Sequence, residues 1–254
     1  MRAILKPFQW LYCIYAFVLF AAIMIPIFLW SLIVISFGRI KGGNLVYKGC
    51  MVWADVWLFL IFIRHRNIYI GALKQNQSYI FVANHISYLD AAIIPKTFRM
   101  PLRALGKVEM SKIPVFGFIY KYAIVTVDRS SAVNRARSVE LMKSVLKKGI
   151  SVLVFPEGTF NMTNKPLKSF YDGAFRIAIE TGTPIKPVLL LNTYDRLCYE
   201  SIFSLNPGKS RAVFLPEISV AGLELKDVQD LKQKVYAIME EELIKRNVSW
   251  IKER

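Results

Sequence analysis

A histidine and an aspartate five positions apart are the first residues in this chain whose types and spacing could do chemistry. They lie in Ala83-Asn84-His85-Ile86-Ser87-Tyr88-Leu89-Asp90, directly after an apolar run, and His85 is one of only two histidines among 254 residues. If the chain turns after His85, the Asp90 carboxylate can hold one ring nitrogen and leave the other free to accept a proton. The pair would then act as a general base for an alcohol.

The same residues also fit a structural role. Ser87 and Asp90 have the spacing of a helix capping box, with Ser87 as the N-cap and Asp90 as the third helical residue. Asp90 could serve in both roles, so the motif alone does not decide between them.

A second group of polar residues follows a later apolar run. Phe155-Pro156-Glu157-Gly158-Thr159 places a carboxylate, a glycine and a hydroxyl at the end of a predicted strand. Pro156 stops the strand, and Gly158 permits tight backbone geometry near a ligand. Alone this would be an ordinary turn, but its combination with the histidine motif favours a catalytic site.

The elements that must position these groups alternate along the chain. The residue patterns predict strands at 79–83, 123–127, 150–155, 185–191 and 211–215, and helices from about 88 and at 131–148, 174–180 and 226–245. Strands that alternate with helices predict an α/β fold, with a mostly parallel central sheet flanked by helices. In such sheets, sites gather beyond the carboxyl ends of the strands.

The N-terminal part has a different character. Residues 8–37 carry no charge and are long enough to cross a bilayer, and residues 50–63 form a shorter apolar stretch. Basic residues flank both stretches on every side, which favours a hairpin embedded in one leaflet over a spanning hairpin. We therefore predict a two-helix membrane anchor at 1–66 on the cytoplasmic face of the cell membrane, and an α/β domain at 67–254.

Composition limits the partners. A formal net charge of +16 suits an anionic membrane surface, where each nearby Lys or Arg adds roughly 1 kcal/mol. Nucleic acid is not expected, because the chain shows no zinc-ligand set, no RNA-binding signature and no basic stripe interleaved with aromatic residues. Two histidines and three isolated cysteines predict neither a histidine-rich metal centre nor a disulfide framework.

Taken together, the motifs resemble those of the lysophosphatidate acyltransferases (1-acylglycerol-3-phosphate O-acyltransferases), a family of the glycerolipid acyltransferase superfamily, and the N-terminal hairpin suits its bacterial members. The NHxxxxD motif of that family corresponds to residues 84–90, and its FPEGTR motif to residues 155–160. A strand with Pro-Val corresponds to residues 185–188, and a Gly-Ile-rich strand ending in Arg is partly matched by residues 123–129.

This resemblance implies transfer of a fatty acyl group from acyl-coenzyme A or acyl carrier protein to the free hydroxyl of 1-acylglycerol-3-phosphate, which forms phosphatidic acid for phospholipid biosynthesis. His85 would remove the hydroxyl proton and Asp90 would orient His85, without a metal or a redox cofactor. The acyl chain could pack against residues 113–122 or the N-terminal helices. The expected substrate-binding residues are Asn84, Lys107, Arg129, Glu157, Gly158, Thr159 and Lys168.

One departure from the family leaves the acceptor open. Phe160 stands where the family has an arginine that helps to hold the acceptor phosphate. Arg129 is the first candidate to replace that charge, followed by Lys107 and Lys168. The departure also allows another acceptor, such as a lyso-ornithine lipid, a lyso-glycine lipid or another lysophospholipid. Outside the enzymes, the alternative is a non-catalytic protein that binds anionic membranes, but such a protein would be expected to lack His85 or its aspartate.

Overall fold

The structure is a computed structural model that describes residues 2–127 and 132–251. Its helices are α1 (Arg2–Val34), α2 (Arg39–Leu60), α3 (Leu89–Thr97), α4 (Phe116–Ala123), α5 (Ala132–Leu146), α6 (Gly173–Thr181), α7 (Thr193–Arg196) and α8 (Val228–Lys245). Its strands are β1 (Ile63–Tyr69), β2 (Ile80–Ala83), β3 (Leu102–Lys107), β4 (Ile124–Val127), β5 (Ser151–Val154), β6 (Ile185–Leu191) and β7 (Gly208–Phe214).

The strands form a seven-stranded sheet in the order β1-β7-β6-β2-β5-β3-β4. Strands β6, β2, β5, β3 and β4 are mutually parallel. Strand β7 is antiparallel to β6, and β1 pairs parallel with β7. The predicted α/β fold with a mostly parallel sheet is therefore confirmed, with two strands of opposite direction at one edge.

Both faces of the sheet are covered, because the central strands are apolar on both sides. In β2, Phe81 and Ala83 face one core, which includes residues of α1, α2, α3 and α4. Ile80 and Val82 face the other core, which includes residues of α5, α6 and α8. The chain thus has a helical layer on each side of the catalytic candidates at the end of β2.

The N-terminal region differs from its expected form. Helix α2 begins at Arg39 rather than at the start of the second apolar stretch, and Tyr47 and Trp57 are buried in the core that covers the sheet. Strand β1 pairs with β7 over residues 63–69, so the boundary predicted at residue 66 falls inside a strand. The two helices are consequently one layer of the α/β fold as well as a candidate anchor.

Helix α1 carries the apolar surface that a membrane would cover. Among the described residues, Lys6–Phe37 is the one helical segment long and apolar enough to cross a bilayer. Its side chains Val18, Ile25 and Ile33 are more than half exposed. This surface is compatible with membrane association.

Candidate active site

The two residues of the histidine motif meet at the carboxyl end of β2. The strand ends at Ala83, the chain turns, and α3 begins at Leu89. This turn places Asp90 Oδ2 2.9 Å from His85 Nδ1. The aspartate side chain is fully buried, whereas 20% of the histidine side chain is exposed. Because the carboxylate engages Nδ1, Nε2 is the ring nitrogen left to accept a proton from a substrate.

Asp90 also organises the turn itself. Its Oδ2 accepts hydrogen bonds from the backbone N–H of Ile86 at 2.7 Å and of Ser87 at 2.8 Å. The Ser87 hydroxyl accepts from the N–H of Leu89 rather than from that of the aspartate, so only half of the expected capping box forms. One carboxylate oxygen therefore both caps the local backbone and holds the imidazole, which combines the two roles that the motif allowed.

Glu157 connects this turn to the second motif. It is fully buried, and its two oxygens accept from the backbone N–H of His85 and of Lys168, each at 2.8 Å. Burial raises the pKa of the Glu157 carboxyl to about 7, although the two N–H donors act in the opposite direction. Gly158 takes a left-handed φ of 72° at the following position, which a residue with a side chain rarely adopts. Both oxygens of the carboxylate are thus engaged by backbone N–H groups, one of which belongs to the histidine.

Two asparagines fasten the same region. The Asn84 amide donates to the Leu190 carbonyl at 3.1 Å and accepts from the Leu190 N–H at 2.7 Å, so it joins β2 to β6. We therefore assign Asn84 to positioning instead of substrate binding. Asn161, which the sequence analysis did not single out, donates its N–H to the His85 carbonyl, and its side chain donates to the Lys165 carbonyl. A buried polar side chain in an exposed turn leaves no periodic signal by which sequence analysis could have found it.

The other predicted binding residues lie on the same edge of the sheet or outside the described part. Thr159 is exposed, and its hydroxyl accepts from Lys168 Nζ at 2.9 Å. Lys107 is exposed at the carboxyl end of β3, which neighbours β5 in the sheet. Arg129 lies outside the described residues. Near the histidine motif, Lys168 is consequently the cation whose surroundings the structure defines best.

Aromatic rings surround the imidazole. The Phe155 ring stacks on His85 with centroids 4.2 Å apart, and the Phe160 ring meets His85 edge-on at 4.4 Å. The Tyr88 ring packs edge-on against Phe160 at 4.8 Å. The position where an arginine was expected therefore holds an apolar ring in direct contact with the candidate base.

An apolar cavity of about 380 Å³ begins beside the histidine turn. Tyr88 and Leu89 line it where α3 starts, and the rest of its wall comes from α1, α2, α3, α4, the start of β4, the chain around Met110 and the segment 197–205. Both segments that the sequence suggested as an apolar wall, residues 113–122 and the N-terminal helices, contribute to it. The cavity is suited to a long hydrocarbon chain.

Comparison with known proteins agrees with this geometry. The sequence profile of the acyltransferase family matches residues 65–191. An uncharacterized acyltransferase of Schizosaccharomyces pombe is 30% identical over 178 residues, which cover 68% of this chain and 62% of that protein. The 1-acyl-sn-glycerol-3-phosphate acyltransferase of Salmonella typhimurium is 31% identical over 169 residues, which cover 65% of this chain and 66% of that protein. The chain therefore spans a little under two thirds of the length of these two relatives.

A longer alignment and a solved structure extend the comparison. The 1-acyl-sn-glycerol-3-phosphate acyltransferase of Limnanthes douglasii is 25% identical over 234 residues, which cover 89% of this chain and 80% of that protein. The crystal structure of the 1-acyl-sn-glycerophosphate acyltransferase from Thermotoga maritima has a TM-score of 0.72 and 23% identity, and covers 99% of this chain and 100% of that chain. The two chains share their fold, including the N-terminal helices.

Proposed function

The chain belongs to the acyltransferase family, and we propose that it transfers a fatty acyl group from a thioester donor to the free hydroxyl of 1-acylglycerol-3-phosphate, forming phosphatidic acid. The observation that carries this proposal is the contact of 2.9 Å between His85 Nδ1 and Asp90 Oδ2, in a turn whose residues Tyr88 and Leu89 line an apolar cavity. The acceptor named in the Salmonella and Limnanthes relatives supports the choice of substrate.

In the proposed reaction, His85 Nε2 removes the proton from the acceptor hydroxyl as the oxygen attacks the thioester carbonyl carbon. The tetrahedral intermediate then collapses, the C–S bond breaks, and the imidazolium returns the proton to the departing thiolate. Asp90 keeps the ring in the correct tautomer and offsets its transient positive charge. Every atom comes from the two substrates, so we propose that no further cofactor takes part.

We propose that the donor's acyl chain occupies the apolar cavity between α1, α2, α3 and α4. Each buried methylene of a chain contributes about 0.8 kcal/mol, so a long acyl group gains much of its binding energy there. The donor would be acyl-coenzyme A or acyl carrier protein, since both carry the acyl group as a thioester. The exposed apolar side of α1 would lie in the cytoplasmic leaflet and bring the cavity close to its lipid substrates.

The test compares the two histidines of the chain. His85→Gln should abolish phosphatidic acid formation and thiol release from acyl-coenzyme A, because glutamine has no basic nitrogen. Glutamine also fills most of the space between the Phe155 and Phe160 rings, so the fold should survive. His65→Gln is the matched control, since His65 lies in β1 and bonds Ser210 instead of any motif residue. Normal turnover by folded His85→Gln protein would show that the base is assigned wrongly.

A different lyso-lipid acceptor is the second candidate, and Phe160 favours it. An apolar ring beside His85 cannot pair with a phosphate, whose charge must be met when it leaves water. A cationic partner for a phosphate is not needed by a lyso-ornithine or lyso-glycine lipid. Another lysophospholipid would need such a partner less than lysophosphatidate does. A panel of lyso-acceptors decides between them, together with Phe160→Arg. If lysophosphatidate is the acceptor, Phe160→Arg should lower its KM, and if only the aminolipids are acylated, the second candidate is correct.

A further inference from the structure

A second cavity lies on the opposite face of the sheet from the apolar one. It has a volume of about 520 Å³ and opens between the loop at 163–170 and helix α8. Its floor includes Leu167 and Phe170, which belong to the core of α5, α6 and α8. The apolar cavity instead borders the core of α1 to α4, so the end of β2 stands between the two cavities.

The chemistry of this second cavity, which we call the basic cleft, is that of an anion site. Lys165, Lys168 and Lys232 line it, and none of its described lining residues is acidic. Lys232 also pairs with Asp172 at 2.7 Å, so part of its charge is already met. Lys165 is exposed, and its side chain has no hydrogen bond or ion pair to a described residue. The cleft therefore offers positive charge and hydroxyl groups close to an apolar floor.

A single carboxylate links the basic cleft to the candidate base. Glu157 accepts from the His85 N–H with one oxygen and from the Lys168 N–H with the other, each at 2.8 Å. The backbone of Lys168, in the wall of the cleft, is thus joined to the backbone of His85 through one carboxylate and two hydrogen bonds. A thioester held at His85 would have the apolar cavity on one side and the cleft on the other.

We propose that the basic cleft binds the phosphate of the donor's pantetheine arm. The inference rests on the proposed acyl transfer, because it assigns the two cavities to the two ends of one thioester. The acyl chain enters the apolar cavity, and the long arm beyond the sulfur leaves toward α8. The acceptor fits the cleft less well, because its phosphate is only a glycerol backbone away from the reacting hydroxyl and must be met beside His85. Coenzyme A and acyl carrier protein share this phosphate, so either can be its source.

The experiment removes two cleft charges and varies the donor. Lys165→Gln/Lys232→Gln should raise the KM for acyl-coenzyme A about tenfold at low salt, and the effect should shrink as salt screens the contacts. The KM for the lyso-acceptor and the kcat should stay unchanged. Acyl-pantetheine, which lacks the phosphate, should give the same KM with wild type and variant. Lys226→Gln/Lys234→Gln is the matched control, because it removes two charges of exposed side chains that do not line the cleft.

The donors also identify the source of the phosphate. An equal rise in KM for acyl-coenzyme A and acyl carrier protein supports the shared phosphate, and a rise for only one of them supports that donor as the source. An equal rise for acyl-pantetheine, a rise in the acceptor KM or a rise in the control would overturn the proposal. A failure of the acyl-transfer function is distinguishable, since wild type would then transfer from none of the three donors.

Discussion

Replacing Asp90 by asparagine separates the two roles that this carboxylate has in the structure. Its Oδ2 accepts from His85 Nδ1 at 2.9 Å, from the Ile86 N–H at 2.7 Å and from the Ser87 N–H at 2.8 Å. An asparagine oxygen at the same place can still accept these bonds, but it carries no charge. The amide would take the place of Oδ1, which is buried without a hydrogen-bond partner among the described residues. The variant therefore keeps the local geometry and loses the charge.

The structural cost of Asp90→Asn is moderate. A hydrogen bond to a charged group contributes about 1.5–3 kcal/mol and a neutral one about 0.5–1.5 kcal/mol, so each of the three bonds weakens by roughly 1 kcal/mol. The total is about 3 kcal/mol, which corresponds to a fall in Tm of about 6–12 °C. The new amide group adds a buried donor without a partner, and the loss of the buried charge removes a desolvation cost, so these two further effects oppose each other. Asp90→Ala would instead leave three N–H donors without an acceptor, at about 1–3 kcal/mol each.

The catalytic cost is separate from the structural one, because it appears in kcat and not in the Tm. The imidazolium formed during the reaction loses the attraction of an opposite charge in contact, which is worth about 1 kcal/mol in water and about 4 kcal/mol near a protein surface. This loss lowers kcat by roughly tenfold to a thousandfold, and a ring held in the wrong tautomer could bring the factor to about 10⁴. Thiol release under saturating substrates measures kcat, and thermal unfolding measures the Tm.

Ser87→Ala is the matched variant for the capping role. It removes the hydroxyl that accepts from the Leu89 N–H and donates to the Leu197 carbonyl, and it leaves the contact between the aspartate and His85 in place. We expect a loss of about 1 kcal/mol in stability with normal kcat. If Asp90→Asn kept its kcat within about threefold of wild type, or lost it only in proportion to the unfolded fraction, Asp90 would be a helix cap and not the partner of a base.

Three further predictions concern other parts of the fold. The pKa of Glu157 is about 7 in the folded chain and its ordinary value is 4.5, so the folded state binds the proton more tightly than the unfolded state. The free energy of unfolding of the wild type should therefore fall by up to about 3 kcal/mol as the pH rises from 4.5 through 7. Urea unfolding of Glu157→Gln should not show this fall. Lys186 is buried, and its Nζ donates to the carbonyls of residues 71 and 72 at 2.9 and 2.8 Å. Lys186→Met should therefore lower the free energy of unfolding by roughly 2 kcal/mol, or about 4–8 °C in Tm. The loop that contains residues 71 and 72 should also become more sensitive to protease. Val18→Asp on the exposed side of α1 should weaken binding to anionic vesicles by about a hundredfold. Ile244→Asp is the control at an equally apolar exposed position of α8, and it should not weaken binding. Equal binding by both variants would exclude α1 as the anchor.

The long-range contacts show where sequence patterns stop being informative. Strand β1 was not predicted, because residues 63–69 mix charged and apolar side chains and follow an apolar stretch that resembles more of the anchor. It becomes a strand by pairing with β7, nearly 150 positions later, where Ile63 lies opposite Gly208. Such pairing depends on what the rest of the chain brings alongside, which no local pattern contains. The predicted domain boundary at residue 66 falls inside β1 for the same reason, because no local pattern marks residues 63–69 as a strand.

Local patterns were sufficient for the two motifs and for most of the main elements, although strand β3 and helix α4 were, like β1, not predicted. Strand β2 is a continuous apolar run, and β5 and β6 are apolar except for Ser151 and Lys186, so the sequence shows these strands directly. The turn after β2 needs only the spacing between His85 and Asp90. The division of tasks among the polar residues was decided by the tertiary structure. Glu157 was expected to bind substrate, yet the folded chain places its two oxygens on the N–H groups of residues 85 and 168, over distances of 72 and 11 positions. A motif specifies which functional groups meet at the end of a strand, but the buried backbone donors around them determine which groups remain free for a substrate, because each donor must find an acceptor once water is excluded.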